Sequence, residues 1–156
     1  MGGCPDCGAR VAGGREACQA LFDQFSAQAY RDLGWARWHN LAFDAYCLQH
    51  PGRYCRSAKS YAAHLTRLCC GLEHEGSPRV YQAIQRWLSR KRELERPHEP
   101  ARRGRRTVVD LFPLADSQES EERVKAWARE VWEAYRSQQG LAQAWLRAAL
   151  DSSKNE

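Results

Sequence analysis

The sequence predicts an all-α fold, a single-domain helical bundle, on three observations. Apolar residues recur at helical spacing in successive segments, Gly and Pro punctuate between those segments, and the composition can fill one core. The 156 residues are 43% hydrophobic and include six tryptophans, enough apolar surface to offset the ordering entropy of one domain. No internal repeat divides the chain.

Residues 1–16 are rich in Gly and Cys, lack periodicity, and read as a knuckle and loop. A helical core is expected over 17–95. Its first helix runs from Ala17 to about Leu33, with Cys18, Leu21, Phe22, Phe25 and Ala29 on one face. Gly34 interrupts, and Trp35 to Gln49 is apolar on nearly every side, as in a helix surrounded by others; Pro51-Gly52 ends it. Ser57 caps a third helix, in which Tyr61, His64, Leu65 and Leu68 share a side until Gly71. Ser77-Pro78 starts a fourth, strongly amphipathic through Val80, Tyr81, Ile84, Trp87, Leu88 and on to Leu94.

Residues 96–116 are expected to form a basic loop and an extended strap. Two prolines and a cluster of arginines mark 96–106 as solvated, and Thr107-Val108-Val109 is β-branched, so this segment is extended or a buried strap until Pro113 stops it. The C-terminal helices occupy 117–150: one from Ser117 to about Gln138 carrying Val124, Trp127, Val131 and Tyr135, and a short one after Gly140 carrying Leu141, Trp145 and Leu150.

Cys4-Pro5-Asp6-Cys7-Gly8 carries the most chemical content. A CxxC turn followed by glycine lets two thiolates converge on one tetrahedral ion, so the N-terminus predicts a zinc knuckle; no βαβ pattern follows, as a redox CxxC would need. Cys18, at the expected start of the first helix, is the third ligand, since the positive end of the helix dipole favours a thiolate. The short link between the first two helices makes them antiparallel and returns the end of the second, with His50, to Cys18. Cys55 in the next loop competes for the fourth position. Eleven helical residues, roughly 16 Å, separate His39 from His50 and weigh against the two sharing an ion.

A second constellation is His39, Asp44 and His64. Counting residues from the junction of the second and third helices puts Asp44 and His64 at one height, where a carboxylate can orient an imidazole for acid–base work, the two can ligate a second metal, or a hydrogen bond between them can lock the packing. His39 lies roughly 140° around the helix from Asp44 and is read as a separate core residue. Cys47, Cys69 and Cys70 fall at core positions, and His74 and His98 in polar, solvated ones.

No apolar run approaches the roughly 20 residues a membrane span needs, and the N-terminus lacks the regions of a secretory signal. Seven cysteines, an odd number, then read as cytoplasmic thiols or ligands rather than a disulfide framework. The net charge of +5 is concentrated between Arg86 and Arg106, where nine Lys or Arg oppose three Glu. That stretch makes nucleic acid a candidate partner, weighed against a solvated face. A homo-oligomer is open to an unpartnered helical face. Three function classes follow: a binding protein with structural zinc, an enzyme using an open zinc position or the Asp44/His64 pair, and a nucleic-acid binder.

The chain resembles an uncharacterised bacterial family of small proteins, a domain of unknown function. The likeness rests on a start of the type Cys-Pro-x-Cys-Gly-Ala, matched by Cys4 to Ala9, on Cys18, and on His-x-Leu-x-x-Asp-x-Tyr-x-x-Gln-His-Pro-Gly, matched by His39 to Gly52. Ser57, His64-Leu65 and the tryptophan-rich run from Val124 to Tyr135 extend it. The loop between Cys7 and Cys18 is shorter than in the family pattern and lacks a histidine, which favours His50 as the fourth ligand. The resemblance implies no activity.

Overall fold

The computed structural model describes residues 2–90 and 92–155, residues 36 and 37 by their backbone alone. Among the described residues the regular structure is entirely helical: α1 (Gly14–Arg31), α2 (Leu33–Gln49), α3 (Pro51–Tyr54), α4 (Ala58–Glu73), α5 (Pro78–Ser89), α6 (Ser117–Ala134) and α7 (Gln139–Lys154), with 3-10 turns at Val108–Leu111 and Arg136–Gln138. The fold class is the expected one. No helix among the described residues is long and apolar enough to cross a membrane.

α2 is the axis of the bundle. It packs against α1, α4 and α6, while α5 and α7 pack on each other and on α4. That placement explains why α2 is apolar on so many sides: Trp35, Trp38, Leu41, Tyr46 and Leu48 are all buried. A single residue, Asp32, joins α1 to α2, and its side chain caps α2 by accepting from the Gly34 N–H at 2.9 Å. α4 opens with a reciprocal capping box between Ser57 and Ser60.

Several boundaries differ from the sequence reading, each for a local reason. α1 begins at Gly14 rather than Ala17. Gly13 and Gly14 both have positive φ, 102° and 64°, and the Gly14 N–H donates to Gly2 O, so the knuckle itself sets the helix start. Cys18 is therefore past the first turn, and the dipole contributes less to its thiolate than expected. Gly71 lies inside α4 instead of closing it, where a Cβ would come within 2.6 Å of Leu41 Cδ1: the glycine permits close approach of two helices. α5 stops at Ser89, although apolar spacing continues to Leu94. The Arg92 Nε donates to Trp87 O at 2.8 Å and its guanidinium lies over the Trp87 ring at 4.9 Å, which turns the chain outward; Leu94 still packs on the core, from an irregular backbone. Lys91, counted in the basic stretch, lies outside the described residues.

The strap is a 3-10 turn rather than extended, because Thr107 and Asp110 cap each other reciprocally and tighten it. Val108 and Leu111 on it are buried. Finally, α7 starts at Gln139, so Gly140 lies inside its first turn and does not break the chain; the break is the 3-10 turn at Arg136–Gln138.

The basic loop is not simply solvated. Arg96 donates from Nε to Cys55 O at 2.7 Å and stacks over Tyr61, and the Arg103 guanidinium reaches back to Asp6 O at 2.5 Å. Gln138 Nε2 donates to His98 O at 2.7 Å, and Glu130 accepts from the backbone N–H of Arg105 and of Arg106. Charge runs are usually faces in water, but arginine also satisfies carbonyls that a loop leaves unpaired, and here it does.

Candidate metal centre

Cys4 and Cys7 sit on a turn closed by Gly8 N–H donating to Cys4 O and Cys4 N–H donating to Ala9 O, both at 2.9 Å, with Gly8 at φ 78°. A side chain at position 8 would be strained there. The turn is clamped to the bundle twice: Arg15 pairs with the Asp6 carboxylate at 2.6 Å and Arg103 takes the Asp6 carbonyl. Arg15 also holds the Asp6 carboxyl below its usual range. Cys18 projects from α1, and His50 stands at the C-terminal end of α2, brought back to Cys18 by the one-residue hinge at Asp32.

The four ligand atoms of Cys4, Cys7, Cys18 and His50 lie within 4.8 Å of one another. The His50 Nε2 is 3.6 Å from the sulfurs of both Cys4 and Cys18, and the sulfurs of Cys7 and Cys18 are 3.7 Å apart. Bond lengths of about 2.3 Å to sulfur and about 2.0 Å to nitrogen at tetrahedral angles give edges of about 3.6 Å for S···N and about 3.8 Å for S···S. Three of the six edges, Cys4–His50, Cys18–His50 and Cys7–Cys18, match those of a tetrahedral ion, and the other three lie within 4.8 Å. Cys4, Cys18 and His50 are buried and Cys7 is half-buried, so four protein groups surround the position.

The surroundings prepare the donors. His50 Nδ1 is 2.7 Å from Tyr46 O, one turn earlier on α2, so Nδ1 carries the hydrogen and the Nε2 lone pair faces the sulfurs. The Tyr46 ring stacks on the imidazole at 4.1 Å and its hydroxyl points at Cys18 Sγ from 3.9 Å. The Cys7 thiol beside it holds Cys18 down against the effect of burial, and the same contact pushes Cys7 up.

Cys55 does not join this cluster. Its thiol donates to Cys47 O at 3.6 Å, and burial pushes it up to about 12. Asp44 and His64 do meet: His64 Nδ1 is 2.9 Å from Asp44 Oδ1, with Asp44 fully buried. Arg67, absent from the sequence reading, donates from Nε to both Asp44 oxygens at 3.1 and 3.2 Å. It follows His64 by three positions on α4, hence on the same face, and that spacing is a legible signal. His39 stands apart from both groups, 3.1 Å from Ser26 Oγ and against the rings of Phe22, Phe25 and Tyr30; its burial pushes its pKa down. His74 and His98 are exposed.

Gln49, beside His50, is likewise absent from the sequence reading. Its side chain is buried and fully used: Oε1 accepts from Trp127 Nε1 at 2.9 Å, and Nε2 donates to Arg103 O and Arg106 O at 2.9 and 2.7 Å. Gln49→Leu is expected to lower stability by about 2–3 kcal/mol in urea unfolding, since it strands one donor and two acceptors in low dielectric. An effect under about 0.5 kcal/mol would show that water replaces them at no cost.

Fold and site together define an all-helical protein with a three-cysteine, one-histidine cluster able to hold a metal ion. The chain belongs to the family described as "Family of unknown function (DUF5946)", whose model matches residues 2–136. That match covers the cluster, the basic loop and all of α6, and ends before α7. No curated protein matches the chain, and no solved structure does.

Proposed function

We propose that Cys4, Cys7, Cys18 and His50 hold one zinc ion in a closed structural site, and that the protein is a cytoplasmic binding protein stabilised by that zinc rather than a metalloenzyme. The observation that carries this reading is the set of edges at 3.6, 3.6 and 3.7 Å, matched to a tetrahedral ion by sulfur-rich ligands. Four protein donors leave no position for a substrate or a water to activate. The zinc would bind the N-terminal turn, α1 and the end of α2 into one unit. Arg96, Arg103 and Arg106 are engaged within the protein, which favours a strapping role for the basic stretch over capture of nucleic acid. Asp44 and His64 are engaged with Arg67, which favours a packing or positioning role for that pair.

Elemental mass spectrometry on protein purified without added metal tests the assignment. One zinc per chain is expected in the parent and in Cys55→Ser, with loss in Cys7→Ser and His50→Ala. A metal-free parent, or a His50→Ala variant that keeps its zinc fully, would overturn the closed four-ligand site.

A further inference from the structure

About 15 Å along α2 from His50, a cleft of about 970 Å³ opens between α2, α4, α5 and α6. Its size is that of a small-molecule site. Arg67 lines it, and the Asp44–His64 pair explains how that arginine is held. Asp44 is fully buried, fixed by His64 on one side, and takes only the Nε of Arg67. The guanidinium carbon lies 4.9 Å from the centre of the Tyr81 ring, so the group is fixed at one edge and over one face. Its Nη groups have no protein acceptor among the described residues, and they are the half of the fork that a bound oxyanion uses.

The opposite wall is α6, where Lys125 and Arg129 stand one turn apart and exposed at the cleft. Lys125 pairs with Glu121 at 3.2 Å, whereas Arg129 has no carboxylate partner among the described residues. Leu41 and Leu72 give the cleft apolar surface. Glu75 is on its lip, in the left-handed conformation (φ 54°) that ends α4, where the Gly76 N–H donates to Cys70 O at 3.1 Å; the carboxylates of Glu75 and Glu121 also line the cleft. Buried Asp44 orienting Arg67, Arg129 across the cleft and the apolar walls together make a place for an anion with an apolar body.

We infer that this cleft is a binding site for a small organic anion, whose phosphate or carboxylate group is held between Arg67 and Arg129 while its apolar body lies against Leu41 and Leu72. Asp44 and His64 are then positioning residues that act through Arg67. The anion site is independent of the zinc assignment.

Isothermal titration of the full chain tests it, with adenosine monophosphate as the phosphate-ester probe, indole-3-acetate as the carboxylate probe and inorganic phosphate as the bare anion. At least one organic probe is expected to bind saturably with Kd below about 1 mM. Arg129→Gln, an exposed substitution, is expected to weaken that binding about tenfold or more, as removal of a charge-assisted contact does. Arg105→Gln, outside the cleft, leaves it unchanged. Binding of the nucleotide alone assigns a phosphate ester, and of indole-3-acetate alone a carboxylate. The anion site is overturned if neither organic probe saturates by about 10 mM, if inorganic phosphate binds as tightly as both, or if Arg129→Gln binds like the parent.

Discussion

Stripping the proposed zinc with a strong chelator is expected to release the N-terminal knuckle while most of the helical content survives. The reason lies in how little else holds residues 2–13. Apart from the ligands, that segment buries Ala9 fully and Val11 only in part, and its other ties are the two clamps on Asp6 and the Gly14 N–H donating to Gly2 O. The Arg15–Asp6 pair is screened by water and holds little, whereas structural zinc sites contribute about 10 kcal/mol or more to the fold of small domains. This domain has a core of its own in α2, α4, α6 and α7, so the metal's share is smaller and local. A fall in Tm of about 10 °C is expected from the loss of some 3–5 kcal/mol at this chain length. Circular dichroism should retain most of its helical signal, and limited proteolysis should cut first before α1. Unchanged Tm after verified removal of the metal, with no new cleavage ahead of Gly14, would show that the cluster does not hold the knuckle.

Asp44→Ala should be strongly destabilising. Asp44 has no exposure and receives His64 on one side and the cationic Arg67 on the other. Removing it leaves a guanidinium and an imidazole N–H facing an apolar gap; breaking such a buried pair costs about 3–5 kcal/mol. Arg67 is 27% exposed and can turn to water, which sets the expectation near about 3 kcal/mol by urea unfolding. Asp44→Asn keeps the volume and one acceptor and should lose less. A loss below about 1 kcal/mol for Asp44→Ala would mean that the pair is not coupled to the core.

Chemistry and simple helix geometry, acting locally, determine what can be read from the sequence. Cys4 and Cys7 follow from the CxxC-Gly turn, and the meeting of Cys18 with His50 follows from two helices joined by a link too short to do anything but reverse. The Asp44–His64 contact comes from the same counting. What cannot be read depends on chain segments far apart in sequence. Nothing near Gln49 reveals that its amide will join the indole of Trp127 to the carbonyls of Arg103 and Arg106. Nor does the charge of Arg103 show that it will close on Asp6 rather than face water. Apolar periodicity places Leu94 against the core correctly and inside a helix wrongly, because burial fixes which residues point inward and not the backbone that carries them. The start of α1 escapes for the opposite reason: two glycines, poor helix formers, are set there by the knuckle's own hydrogen bond from Gly14 to Gly2.

Contact order along the chain also bears on how the protein is made. All four ligands fall within the stretch from Cys4 to His50, whereas the arginine that closes on the knuckle is Arg103. During synthesis, at about 5–20 residues per second, the complete ligand set leaves the ribosome seconds before its strap does. With the proposed zinc, metal capture by the N-terminal hairpin of α1 and α2 can therefore precede assembly of the rest, and the later helices fold against a unit that is already tied.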